Sequence, residues 1–180
     1  MYKIEKFVLI SVFVFIIAIS GCTSLNPVEN NTFSKGGITF QYPGTWKENI
    51  TFNYTSAPTE NNTILGTMGD NTVAVSVSST NLTNNILSSF SIESLAQISE
   101  EDFAAGELIS TNKSTFNNIT FFEQIYKSES GVSGEKYKNY RILFGKQGKI
   151  VYIIIFKTKE ADFEKSYKQM KDIQSSIKYS

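Results

Sequence analysis

The chain has 180 residues, of which 41% are hydrophobic and 19% charged, a composition typical of one globular domain. The 17 basic and 17 acidic side chains balance, which argues against a dedicated nucleic-acid-binding protein. Because there is no histidine and only one cysteine, the sequence excludes an internal disulfide, zinc sites of the Cys/His type and catalytic sites that need histidine.

The first 21 residues have the layout of a secretory signal peptide. Lys3 and Lys6 precede an apolar run over residues 7–19, and small residues follow at positions 20 and 21. As a helix, this apolar run would be roughly 20 Å long, which is short for a hydrocarbon core of about 30 Å. The alternative is an uncleaved membrane anchor that runs to Leu25.

The run Ile19-Ser20-Gly21-Cys22 is similar to a lipobox, the signal at which prokaryotic lipoproteins are lipidated on cysteine and then cleaved before it. Cys22 is the only thiol of the chain, and an unpaired thiol in an exported protein otherwise needs an explanation. A two-chain lipid on Cys22 would hold the protein durably at a membrane. We therefore predict a lipoprotein signal peptide over residues 1–21, lipidation of Cys22, and a location on the outer face of the cell membrane.

The segment 22–35 is polar and contains Pro27, which predicts a flexible tether. Asparagine is abundant throughout the chain, and seven asparagines begin an Asn-x-Ser/Thr sequon. These glycosylation candidates are Asn30, Asn49, Asn53, Asn61, Asn81, Asn112 and Asn118. Their density favours an N-glycosylated surface protein of archaeal type. The alternative is a polar, asparagine-rich composition that carries no sugar.

One domain is expected over residues 36–180, beginning with short strands and a helix. Alternating apolar residues predict strands over 38–42 and 73–78, and a further strand is expected over 49–54. A helix is predicted over 91–105, where the acidic residues 100–102 would cap a helix that restarts at Ser99.

An antiparallel meander is predicted next, with strands over 108–115, 119–127, 136–144 and 149–158. Every residue of Ile150–Phe156 is apolar, which indicates a central strand buried on both faces, with Ile153 and Ile155 in the interior. A closing helix over 162–177 has one apolar stripe. The predicted fold is therefore α+β: an antiparallel β-sheet covered by helices on both faces, an α/β/α sandwich.

The segment Phe40-Gln41-Tyr42-Pro43-Gly44-Thr45-Trp46 resembles the aromatic entry motif of PsbP-like domains. The order of predicted elements over residues 36–180 is similar to that family, and Ser176-Ile177-Lys178 resembles the end of its closing helix. The resemblance implies a sheet sandwiched between helices, and a binding role rather than catalysis. It implies no particular partner, because members of the family bind unrelated ones.

Two functions remain open at this point. The leading one is a non-enzymatic protein-binding or scaffold module of the cell envelope, without cofactor or metal, whose partner is an unidentified envelope protein. The alternative is a solute-binding or accessory lipoprotein that presents a small ligand to membrane machinery. Its ligand pocket would be lined by Phe40, Tyr42 and Trp46, although aromatic residues in an alternating strand more often belong to a core.

Charge is distributed unevenly along the chain. The net charge is −6 over residues 22–120 and +5 over residues 121–180. A basic face made by the second half could dock on anionic headgroups or on an acidic partner. The alternative, which we favour, is a solvated surface on which the two halves interleave.

Overall fold

The computed structural model describes residues 29–51, 62–82, 89, 91–102, 106–129, 133–146 and 149–180. These residues form ten strands and two α-helices. The strands are β1 (Asn30–Lys35), β2 (Ile38–Pro43), β3 (Lys47–Glu48), β4 (Asn62–Gly69), β5 (Val73–Asn81), β6 (Gly106–Phe116), β7 (Ile119–Glu129), β8 (Lys136–Lys146), β9 (Ile150–Lys159) and β10 (Lys178–Tyr179). The helices are α1 (Ile92–Asp102) and α2 (Phe163–Ser176), and a 3₁₀ turn over Glu160–Asp162 leads into α2.

Seven of these strands form one antiparallel sheet in the order β3-β4-β5-β9-β8-β7-β6. The strand β9 is the fourth of the seven and pairs along its length with β5 and β8. The prediction that the apolar run forms a central strand is therefore confirmed. The hairpin turn between β6 and β7 is also where the sequence places it, with Asn117 and Asn118 at φ angles of 51° and 61°.

The first face of this sheet carries the hydrophobic core. Val75, Phe156 and Tyr140 lie side by side on β5, β9 and β8, and each is 0% exposed. The predicted closing helix is confirmed as α2, which packs Phe163 and Met170 onto this layer. Fully burying a side chain of this kind contributes about 1.5–3 kcal/mol, so contacts between α2 and the sheet are a main source of stability.

A smaller sheet, in the order β1-β2-β10, packs against the same core. Its strand β1 lies in the segment 22–35, which is predicted to be a flexible tether. The structure instead pairs Asn30–Lys35 with β2 and buries Phe33, which is 2% exposed. The ring of Phe33 stacks on Phe40 with 4.7 Å between the ring centroids, and this contact holds β1 on the domain.

The prediction of helices on both faces is wrong, since the described part of the chain is mostly β and has one main helix, α2. Ser76, Ile155 and Arg141 lie in register on the second face. The short helix α1 has its main contacts with β8 and β7, where a Cβ on Gly145 would lie 2.7 Å from Ile92 Cδ1. Over β5, this face consists of half-exposed small residues, because β5 alternates valine with alanine, serine and threonine.

The apolar run of β9 therefore has two different environments. Ile155 is 6% exposed and forms a small cluster with Tyr126 on the second face, as expected for a buried residue. Ile153 packs at the border of this cluster and is half-buried, so the prediction of its full burial is wrong. No second helical layer is needed to explain the run, because the neighbouring strands and this cluster already shield part of the second face.

Two local predictions are also wrong. Asn49 has a φ of 57° and is not part of a strand; only Lys47–Glu48 pair with β4 as β3, and residues 52–54 lie outside the described part of the chain. The helix α1 does not restart at Ser99 but runs without a break over Ile92–Asp102. Its N-terminal cap is Ser91, whose Oγ accepts a hydrogen bond of 3.0 Å from the amide of Ser94.

Candidate functional site

The three aromatic residues proposed as a pocket lie in the hydrophobic core. Phe40, Tyr42 and Trp46 are 1%, 3% and 4% exposed, and their rings contact one another with centroid distances of 6.5 and 6.4 Å. The Tyr42 hydroxyl donates a hydrogen bond of 2.5 Å to Glu48 Oε1, and burial together with Glu48 raises the pKa of Tyr42 to about 12. These positions favour the core interpretation over a ligand pocket.

The predicted modification sites are only partly within the described residues. Five sequon asparagines are described, and all five are exposed: Asn30, Asn49, Asn81, Asn112 and Asn118. Each of these side chains is therefore accessible to a glycosylating enzyme. Asn53 and Asn61, like Cys22, lie outside the described residues.

Among the described residues, the strand β6 pairs only with β7 and forms an edge of the seven-stranded sheet, and it is exposed from Gly106 to Lys113. Leu108 and Ile109 are 39% and 50% exposed, unusual for large apolar side chains in the described part of the chain. A free edge offers backbone donors and acceptors to an extended peptide. Two features of β6 disfavour non-specific pairing with the edge strand of another molecule. They are the bulge between Leu108 and Ser110 and the charged side chain of Lys113.

A cluster of polar side chains is buried between α2 and the sheet. Glu123 is 2% exposed, and its Oε1 accepts hydrogen bonds from Lys171 Nζ at 2.9 Å and from Gln174 Nε2 at 2.8 Å. Ser114 Oγ also donates to this oxygen, while the Tyr140 hydroxyl donates to Gln174 Oε1 at 2.7 Å. No local sequence pattern predicts this cluster.

The electrostatics of this cluster indicate a structural role. Burial raises the pKa of Glu123, but the hydrogen bonds from Ser114, Lys171 and Gln174 outweigh burial and leave the pKa below its usual value. Burial and the charge of Glu123 raise the pKa of Tyr140 above its usual range. Because the carboxylate is ionised and held by three donors, it is poorly suited to take up a proton, and the cluster acts to fix α2 on the sheet.

An open cleft of about 260 Å³ lies at one end of the sheet. We call it the strand-end cleft and define it by Asp70, Asn71, Thr72, Tyr137, Lys157 and Lys159. Ligand pockets for drug-sized molecules usually measure about 300–1,000 Å³, so this cleft suits a single small polar or charged group.

The hairpin turn between β4 and β5 forms one wall of the strand-end cleft. Asp70 Oδ1 accepts hydrogen bonds from Thr72 N at 2.7 Å, Thr72 Oγ1 at 2.6 Å and Val73 N at 3.0 Å. Burial raises the pKa of Asp70, but these hydrogen bonds outweigh burial and leave the pKa below its usual value. The carboxylate is thus committed to its own turn.

The opposite wall of the strand-end cleft is basic and aromatic. Lys157 Nζ lies 4.5 Å from the centroid of the Tyr137 ring. Lys159 Nζ forms an ion pair of 2.5 Å with Glu135 Oε1, and the Tyr137 hydroxyl donates to the other oxygen of the same carboxylate. The one local sequence feature that could have indicated this site is the Asp-Asn-Thr turn between two strands. Nothing in the sequence shows that β8 and β9 lie next to this turn.

Neither metal sites nor membrane-spanning helices are found in the described residues. No group of three or more His, Cys, Asp or Glu side chains there could hold a metal ion. Within the same part of the chain, no helix is long and apolar enough to cross a membrane.

No protein-family model and no curated protein matches the sequence. Solved structures, in contrast, are similar in fold. Cyanobacterial PsbP (CyanoP) from Synechocystis sp. PCC 6803 has a TM-score of 0.59 at 14% identity, over 88% of this chain and 97% of that chain.

Two further structures have the same arrangement. LpqN of Mycobacterium tuberculosis, which is involved in cell envelope biogenesis, has a TM-score of 0.53 at 10% identity, over 86% of this chain and 92% of that chain. The Ran-binding protein Mog1p of Saccharomyces cerevisiae has a TM-score of 0.55 at 9% identity, over 84% of this chain and 96% of that chain. The resemblance to PsbP-like domains is thereby confirmed for the fold, and the chain has a PsbP/Mog1p-like fold.

Proposed function

We propose that this protein is a membrane-anchored surface lipoprotein whose folded domain is a non-catalytic protein-binding or scaffold module of the cell envelope. The observation that carries the proposal is the free edge β6, which is 11 residues long and exposes Leu108 and Ile109. Adding a strand to such an edge gives affinity through backbone hydrogen bonds and specificity through the flanking side chains.

Three further observations support this proposal. The lipobox-like run that ends at Cys22 supplies the anchor. The buried Glu123 cluster has the features of a structural contact between α2 and the sheet rather than of a catalytic site. Among the proteins of similar fold, LpqN is involved in cell envelope biogenesis, which is the setting proposed here.

The solute-binding alternative has weaker support. Its predicted pocket residues Phe40, Tyr42 and Trp46 are packed against one another in the core. The strand-end cleft is open and has room for one small group only. A small molecule that co-purifies with the protein in equimolar amount would favour this alternative.

In-cell crosslinking tests the proposed protein-binding edge. A photoreactive amino acid in place of the exposed Thr111 on β6 should crosslink one envelope protein in intact cells. Ile109→Lys should lower the yield of that crosslink about fivefold or more, because it removes an apolar contact and adds a charge at the interface.

Ile64→Lys is the matched control, since Ile64 is also an exposed apolar strand residue, 58% exposed, and lies on β4 near the other edge of the sheet. This variant should keep the crosslink at its original yield. Equal thermal midpoints of both variants would show that neither change disturbs the fold. An undiminished crosslink in Ile109→Lys would exclude β6 as the binding edge.

A further inference from the structure

The described chain begins at the same end of the domain as the strand-end cleft. Asn30, the first residue of β1, pairs with Pro43 at the end of β2. Four residues later, Lys47 pairs with Gly69, the residue that precedes Asp70 of the cleft. Any chain that enters the domain through Asn30 therefore arrives next to the cleft.

This inference rests on the function proposed above, in which a lipid anchor on Cys22 holds this end of the domain close to the bilayer. Cys22 precedes Asn30 by eight residues. A fully extended chain of this length spans at most about 28 Å. At such a short tether length the local concentration of lipid headgroups is high, so that a weak contact is sufficient to orient the domain.

The strand-end cleft offers amines to a negatively charged group. In the described part of the chain, no carboxylate lies within 4.0 Å of Lys157 Nζ, whereas Lys159 is paired with Glu135. The acid inside the cleft, Asp70, has one oxygen fully occupied by three donors of its own turn. Asn71 also lines the cleft and adds a polar side chain to it.

We propose that the strand-end cleft binds the phosphate of an anionic lipid headgroup, with Lys157 as the contact. Lysine is a common ligand of phosphate, acting as a point charge, and basic side chains near a membrane surface attract anionic lipids. Lys127 and Lys138, at the same end of the domain, already pair with Glu160 and Glu164. The contact is therefore local to the cleft, and it orients the anchored domain on the bilayer.

Chemical labelling of lysines on vesicles tests this inference. The full chain, isolated as the cells produce it, is reconstituted with vesicles of phosphatidylcholine alone, or of phosphatidylcholine mixed with phosphatidylglycerol. An uncharged amine-acylating reagent is then applied, and labelling is measured by mass spectrometry. Lys157 should react about fivefold more slowly on the mixed vesicles, the factor expected for one lysine at an anionic surface.

Lys178 is the matched control, because it is exposed and lies on β10 at the opposite end of the domain, next to the turn between β1 and β2. Its labelling should be the same on both kinds of vesicle. Equal labelling of Lys157 on both kinds would overturn the headgroup site. Equal protection of Lys157 by inorganic phosphate on phosphatidylcholine vesicles would show that the cleft takes free phosphate, and would also overturn it.

Flotation of the same vesicles separates this inference from the proposed function. A chain that floats with phosphatidylcholine vesicles is anchored by its lipid, whatever happens at Lys157. A chain that floats with the mixed vesicles only, and whose Lys157 is labelled more slowly there, binds headgroups without a lipid anchor. This result would support the headgroup site and contradict the anchor. A chain that floats with neither kind contradicts both.

Discussion

Glu123 illustrates what single residues contribute to this fold. It alternates with Ile119 and Phe121 along β7, which places it on the core face, in register with Ile142 of β8. The charge is tolerated there because Lys171 and Gln174, one turn apart on α2, both reach its carboxylate. The sequence could not predict this contact, since β7 and α2 are separated by two further strands and meet only through packing.

The stability of the protein should depend on pH through Glu123. Since the pKa of Glu123 in the folded protein lies below the unfolded value of 4.5, its contribution is fully present above that pH and is lost as the pH falls through the lowered pKa. Glu123→Gln should lower the free energy of unfolding at neutral pH by about 1–3 kcal/mol, because partners of a buried carboxylate are left unsatisfied. Urea unfolding measured from neutral pH to about pH 3 should show a weaker acid dependence in this variant than in the parent.

Glu164→Gln is the control for this measurement. The side chain of Glu164 is 85% exposed and lies 3.9 Å from Lys138, so its removal should change the free energy of unfolding by less than about 0.5 kcal/mol. A parent and a Glu123→Gln variant with the same acid dependence would contradict the assigned role of this carboxylate.

Replacing single isoleucines of β9 by alanine should distinguish the two faces of this strand. Ile154 is 0% exposed on the core face, so Ile154→Ala should cost about 2–5 kcal/mol, from lost burial and from the cavity left behind. Ile153→Ala should cost clearly less, because Ile153 is half-buried. Lys168→Ala on the exposed side of α2 should cost less than about 0.5 kcal/mol. Equal urea midpoints for the Ile153 and Ile154 variants would contradict the placement of the core.

At the scale of elements, the sequence predicts those strands and helices whose burial is periodic. β2, β5 and α2 follow their apolar pattern and lie within a few residues of the predicted bounds. β1 was missed because Phe33 is its only buried residue. β4 was missed because a bulge between Ile64 and Gly66 interrupts its alternation and Ile64 is exposed.

The candidate sites were less predictable than the elements that carry them. Asp70 and Thr72 are neighbours in a turn, but Tyr137 and Lys157 reach the strand-end cleft only through the pairing of β8, β9 and β5. Such pairing depends on sheet order, which local patterns do not contain. The exposed edge at β6 follows from the same sheet order.

The hairpin between β4 and β5 gives a test at this scale. Gly69 has a φ of 153°, and a Cβ there would lie 2.0 Å from the carbonyl oxygen of Val73. Gly134 also has a positive φ, 65°, but the nearest atom to its Cβ, Glu129 Oε1, is 3.6 Å away. Gly134→Ala should therefore cost about 1 kcal/mol of backbone strain, and Gly69→Ala at least about twice as much. Similar thermal midpoints for the two variants would contradict the backbone geometry assigned to this hairpin.

At the scale of the whole molecule, the ion pairs of the described residues lie within each half of the chain. Lysines of the basic second half pair with acids of the same half, as in Lys127 with Glu160 at 3.0 Å, and Lys113 of the first half pairs with Glu93 at 3.8 Å. These pairs neutralise part of the basic charge of the second half, which argues against one continuous basic face. In the function proposed above, contact with a membrane would depend on the anchor and on a local site, rather than on overall charge.

Intact-mass analysis of the membrane fraction is the decisive measurement for the proposed attachment of this domain to the membrane through Cys22. We expect a chain that begins at Cys22 and carries a lipid, and we expect Cys22→Ser to leave the precursor unprocessed or to release the protein from the membrane. A membrane-bound chain with an intact N-terminus at Met1, unchanged by Cys22→Ser, would exclude lipidation of Cys22 as the anchor and indicate a transmembrane anchor.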